Sequence, residues 1–108
     1  MPKYLSHSTY SPEAIAGLVE NPQNRAEVTR PILQALGASL EQLYIDVGGT
    51  EIYAVLDVPD PTILGAISTA MYAAGSFSSI KISQVITAED SVDVFKKAGE
   101  IAYTPPSG

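Results

Sequence analysis

The strongest structural signal in the chain lies between Leu40 and Val58, in the sequence LEQLYIDVGGTEIYAVLDV. Its first half alternates apolar and polar side chains, which is the period of a strand with one buried face. Gly48 and Gly49 follow, and paired glycines favour a hairpin turn because glycine tolerates positive φ. The second half is apolar on both faces. The pattern predicts two antiparallel strands, 40–47 and 51–58, joined by a tight turn.

The sequence on either side of this hairpin predicts two more strands and four helices. Ser11-Pro12 and Asp60-Pro61 each open a helix, with the polar residue as N-cap and proline in the first turn. The predicted elements are strand Lys3–Tyr10, helix Pro12–Glu20, a helix over about 24–36, a helix over about 61–74, strand Ser79–Thr87, a helix from 88 to 97 or 98, and an extended tail, 103–108. The order β-α-β-β-α-β with a trailing helix predicts one ferredoxin-like α+β domain over residues 1–108, with a four-stranded antiparallel sheet.

The predicted helix over 24–36 carries one apolar stripe. Val28, Ile32 and Leu36 recur at four-residue spacing, with Leu33 beside them. Pro31 lies inside the helix, where it removes a backbone donor and crowds the preceding turn. We therefore expect a kink or a restart at this proline.

Composition indicates that part of the apolar surface is covered by a partner. The chain has 108 residues, of which 45% are hydrophobic and only 17% charged. In the predicted topology the crossing helices cover one face of the sheet and leave the other face open. Apolar residues on that face could simply be exposed to solvent, as many are. Because large open apolar sheets are uncommon on monomers, we favour a homodimer or higher even-numbered oligomer with a small cavity between packed sheets.

The net charge and the counts of histidine and cysteine argue against several classes of function. The formal net charge of −6 repels phosphate, which argues against nucleic-acid and anionic-membrane partners. With one histidine and no cysteine, the sequence predicts neither a metal site nor another bound cofactor. No signal-peptide pattern or apolar run of membrane-spanning length is present, and a cytoplasmic location is expected.

His7 is the candidate catalytic residue, because histidine is the side chain whose charge changes near neutral pH. Strand alternation leaves two registers open. In one, His7 lies beneath the helices as a structural residue, and Tyr4, Ser6, Ser8 and Tyr10 line the cavity. In the other, His7 faces the cavity and can act as a base. We favour the second, since an imidazole under apolar helices would lose its hydration with few partners available.

Five further residues are candidates for ligand binding: Tyr44, Asp46, Tyr53, Asp57 and Tyr10. Tyrosine at a wet cavity offers a ring for packing and a hydroxyl for hydrogen bonding. A carboxylate among apolar strand residues can have a raised pKa and serve as acid or base. The alternative is ordinary packing for the tyrosines and solvated strand ends for the aspartates.

Several segments together resemble the GYD domain family. They are MPKYL at 1–5, STYSPE at 8–13, Leu36-Gly37, VLDVPD at 55–60, ITAED at 86–90 and YTPP at 103–106. In the motif that names the family, Gly48 matches the glycine, while Thr50 and Glu51 stand where tyrosine and aspartate would be. The resemblance implies a dimeric α/β barrel and no particular activity.

Two functional hypotheses follow. The first is a non-enzymatic oligomeric module that binds a small, mostly apolar ligand between sheet and partner, or that serves as an interaction protein. The second, by analogy of fold, is a cofactor-free enzyme that carries out proton transfer or oxygenation on a small hydrophobic molecule with His7 as base. The second requires His7 and a carboxylate or tyrosine to face one cavity.

Overall fold

The computed structural model describes residues 2–107 and has the predicted ferredoxin-like α+β order. Its strands are β1 (Lys3–Tyr10), β2 (Ser39–Ile45), β3 (Glu51–Asp57) and β4 (Phe77–Val85). Its helices are α1 (Pro12–Glu20), α2 (Arg25–Ala35), α3 (Pro61–Ala73) and α4 (Ala88–Gly99). The four strands form one antiparallel sheet in the order β2-β3-β1-β4. The predicted elements are confirmed, and their ends shift by one or two residues at most positions.

Local side-chain chemistry fixes the ends of several elements. Ser11 and Asp60 cap α1 and α3 as expected, because each side chain accepts a hydrogen bond from a first-turn N–H that has no partner within the helix. In the β2–β3 turn, Gly49 has φ of 88°, and its N–H donates to the Asp46 carboxylate at 2.9 Å. α2 continues through Pro31, so the expected restart is not found. No helix within residues 2–107 has the length and apolar character needed to cross a membrane.

One face of the sheet is covered and the other is open. On β1 the buried side chains are Tyr4, Ser6, Ser8 and Tyr10, and on β3 they are Ile52, Ala54 and Leu56. Tyr4, Ala54 and Leu56 pack in a core that also contains Leu33, Ala38, Leu40 and Val58. The alternate residues of β1, from Lys3 to Thr9, point to the other side. We call this second side of the sheet the open face.

The residue of α2 that packs in the core is not one of the three that recur at four-residue spacing in the predicted stripe. Leu33 is the buried residue of α2, while Val28, Ile32 and Leu36 are exposed. Because a helix turns once in about 3.6 residues, positions four apart drift around its axis, and the three do not share one line with Leu33. The apolar stripe therefore lies on the outer side of α2, and the helix meets the core through Leu33, with partly buried Ala26 packed beside it.

Candidate functional site

Four side chains from four strands stand in register across the open face. Tyr44 pairs with Tyr53, Tyr53 with His7, and His7 with Lys81. We call these four residues the cross-sheet row. The rings of His7 and Tyr53 are stacked, with centroids 4.5 Å apart and an interplanar angle of 16°. The row thus has a stacked pair of rings at its centre, a tyrosine at the β2 end and a lysine at the β4 end.

His7 is oriented by Glu51. The Nε2 atom of His7 lies 2.9 Å from Oε1 of Glu51, and Thr9 Oγ1 donates to the same oxygen at 2.8 Å. The hydrogen bonds from Thr9 and His7 lower the pKa of the Glu51 carboxyl. An ionised Glu51 only accepts hydrogen bonds, so Nε2 carries the proton. In the neutral ring Nδ1 is then the acceptor, which is the arrangement a general base requires.

The structure resolves which face His7 occupies. The His7 side chain lies on the open face, is 44% exposed, and stacks on Tyr53. It does not pack beneath α2, where Ile32 and Leu36 are themselves exposed. His7 therefore lies on the face away from the helices, as the favoured register requires, whereas a cavity on that face and the catalytic role of His7 stay predictions.

The predicted ligand-binding tyrosines separate into two groups. Tyr44 and Tyr53 join His7 in the cross-sheet row. Tyr10 lies on the opposite face, buried, with its ring stacked on Phe77 at 5.1 Å. Burial raises the pKa of Tyr10, and nearby Arg25 opposes that effect. A ligand on the open face can contact Tyr44 and Tyr53 but not Tyr10.

The two predicted aspartates lie outside the row. Asp46 is in the hairpin turn, where its carboxylate accepts from the N–H groups of Gly49 and Glu51. Asp57 is on the open face, but it pairs with Lys3, four residues along β1 from His7 and therefore about 13 Å away. Contacts with Glu41 and with the Lys3 ammonium group lower the pKa of Asp57, so the expected rise is not found.

Three residues of this site, Thr9, Glu51 and Lys81, were not predicted to lie beside His7. Strand alternation carries a signal for two of them, because residues two apart on a strand lie on the same face. Thr9 therefore lies on the face of His7 in β1, and Glu51 lies on the face of Tyr53 in β3. What the pattern lacks is the register between β1 and β3, which are separated by two helices and a third strand.

An open groove elsewhere on the chain is a weaker candidate. It has a volume of about 370 Å³ and is lined mainly by apolar residues of α1 and by the β2–β3 turn. Arg25 is the charged residue in its lining, and none of the cross-sheet row contributes to it. Within residues 2–107, no three histidine, aspartate or glutamate side chains are grouped as metal ligands. The chemistry of the open face is therefore the better basis for a functional site.

A family model described as the GYD domain matches residues 4–94, which include the four strands except Lys3 and the first seven residues of α4. A search of curated proteins found no similar sequence.

Proposed function

The chain belongs to the GYD domain family, and we propose that it works as a homodimer whose two open faces enclose a small, planar, mostly apolar ligand. The observation that carries this proposal is the stacked pair of His7 and Tyr53 at the centre of the open face. The ligand's ring would lie on the cross-sheet row, and the second sheet would cover it.

Surface area supports an assembled state. The chain exposes 7409 Å², whereas a compact monomer of its 11.4 kDa mass exposes about 5,800 Å². On the open face, Leu5 is 45% exposed, and it pairs with half-buried Val55 of β3. These two residues form an apolar pair beside the cross-sheet row. A second sheet laid on this face would remove apolar surface from water, which favours association.

The cross-sheet row has the composition of a small-ligand site. Tyr53 and Tyr44 are 38% and 59% exposed, so ring surface is accessible for stacking. Lys81 lies at one end of the row and makes no ion pair with any residue between 2 and 107. Its ammonium group can orient a polar substituent of the ligand, while the rings provide most of the contact area.

Replacing Tyr53 tests the ligand site. The change Tyr53→Leu removes the ring on which His7 stacks, and we expect it to weaken binding of indole, used as a planar probe, about five-fold or more. Tyr72→Leu is the matched control, because Tyr72 is 60% exposed on α3. Binding is measured by amide chemical shifts in an NMR titration. Equal affinity in both variants, or shifts confined to the α1 groove, would contradict the proposal.

A second candidate, cofactor-free proton transfer, is favoured by the hydrogen bond between His7 and Glu51. In this mechanism Nδ1 of His7 takes a proton from a carbon acid, and the Glu51 carboxylate stabilises the imidazolium that forms. Acetophenone in D₂O provides a test, since its methyl protons exchange through the enolate. We expect the protein to accelerate deuterium incorporation, and His7→Gln to lower that acceleration about 100-fold. Wild-type exchange no faster than in buffer would exclude this activity for the probe.

A further inference from the structure

The C-terminal helix α4 projects from the rest of the chain. The radius of gyration is 17.6 Å, whereas a compact domain of 108 residues has about 13 Å. Every residue of α4 except Ser91 is exposed, and Phe95 is 70% exposed. A helix of 12 residues has little stability alone in water, because packing of an apolar face supplies most helical stability. Packing of its apolar side chains on a partner surface would therefore stabilise this helix.

One side of α4 carries a heptad-like row of small and apolar residues, which we call the seam. Ala88, Val92, Phe95 and Gly99 follow one another at spacings of four, three and four residues, the heptad pattern of core positions. Val92 and Phe95 are both exposed and lie at the middle of the helix. Small residues at the two ends allow close approach of a second helix. The seam is thus built to receive another helix over its whole length.

The charges beside the seam indicate which helix would pack on it. Glu89 and Lys96 occupy equivalent flanking positions, one heptad apart, near opposite ends of α4. In an antiparallel pair of identical helices, Glu89 of each copy lies beside Lys96 of the other. A parallel pair would place Lys96 beside Ser91 of the second copy and would leave Glu89 without a partner within the helix. The charge pattern is therefore complementary to itself in the antiparallel direction.

We propose that α4 pairs antiparallel with α4 of a second copy of this chain, with Val92 of each helix opposite Phe95 of the other. The same alignment sets Ala88 opposite the second copy's residue at position 99. The contact is isologous, as a two-fold axis requires. It is smaller than a stable interface needs by itself, so it adds to contact elsewhere between copies. It goes beyond the proposed ligand site and involves none of its residues.

Engineered cysteines test the pairing, because the chain contains no cysteine. We expect an equimolar mixture of Ala88→Cys and Gly99→Cys proteins to form the mixed disulfide on oxidation, at least five-fold more than Ala88→Cys alone. In the antiparallel pair the two position-88 residues are about 16 Å apart, beyond disulfide reach. Preferential linkage of Ala88→Cys to itself would indicate a parallel pair, and no linkage in the mixture would exclude pairing. Either result overturns the proposal.

A second pair of variants separates specific pairing from random collision. In the same mixture, Phe95→Glu places a charge in the seam and is expected to lower the mixed disulfide at least five-fold. Val94→Glu is the matched control, since Val94 is 51% exposed but lies outside the seam. An equal effect of the two changes would overturn the proposal. Neither residue is buried in the chain, so the sheet should fold normally in both.

Discussion

Replacing Leu33 by alanine is expected to lower the free energy of unfolding by about 2–4 kcal/mol. Leu33 is 2% exposed and is the buried residue of α2 in the core that also contains Tyr4, Leu40, Leu56 and Val58. Its truncation removes apolar contacts from this core and leaves a cavity. For a domain of this size the thermal midpoint should fall by about 10–20 °C. Thermal or urea unfolding followed by circular dichroism measures the effect.

Ile32→Ala is the matched control for this change. It lies on the same helix, one residue away, and Ile32 is 57% exposed. Its effect on the free energy of unfolding should stay within about 0.5 kcal/mol. A loss for Ile32→Ala as large as that for Leu33→Ala would show that the apolar stripe of α2, and not Leu33, contacts the core.

The strands of the sheet could be predicted from the alternation of their side chains. The side of α2 that packs on the sheet could not be predicted from the spacing of its apolar residues. On a strand, side chains alternate between two faces, so residues two apart, such as Ile52 and Leu56 with Ala54 between them, can be grouped on one face without knowledge of the rest of the fold. On α2, apolar residues occur on more than one side, and the sequence does not say which side meets the sheet. That choice depends on how the helix is attached at both ends, which is a tertiary property.

Individual residues of the candidate site could be predicted from the sequence, but the contacts between residues of different strands could not. His7 and Tyr53 were identified individually, but their stacking depends on the pairing of β1 with β3, which are far apart in sequence. From the sequence, Glu51 was identified only as the residue that replaces an aspartate in the GYD motif. Its contact with His7 arises because β3 begins opposite the end of β1, so the same register that stacks the rings also brings the carboxylate to Nε2.

The open face and α4 would contribute differently to an assembly. The open face is broad, and its apolar pair Leu5 and Val55 lies beside polar side chains such as Lys3 and Ser83. α4 is narrow and has a self-complementary pattern of charge. Sheet contact would therefore supply most of the buried area, while the helix pair would favour one orientation of the two copies. A charge introduced into each surface separates the two contributions.

For the open face, the change Leu5→Lys is expected to weaken dimerisation about 100-fold. Leu5 is 45% exposed in the single chain and lies on the strand that carries His7. In a two-fold dimer the change occurs twice, and loss of two buried leucines at about 1.5 kcal/mol each corresponds to that factor. Light scattering across micromolar concentrations measures the dissociation. The wild-type protein should remain a dimer or larger even oligomer under the same conditions.

An unfolding measurement and a second surface variant serve as controls for this test. Because Leu5 is not under the helices, Leu5→Lys should leave the free energy of unfolding of the monomer within about 0.5 kcal/mol of the wild type. Val19→Lys adds the same charge to α1, where Val19 is 75% exposed, and should leave dimerisation unchanged. A wild-type protein that scatters as a monomer, or a Leu5→Lys dimer as tight as that of Val19→Lys, would mean that the open face is not the surface where two copies meet.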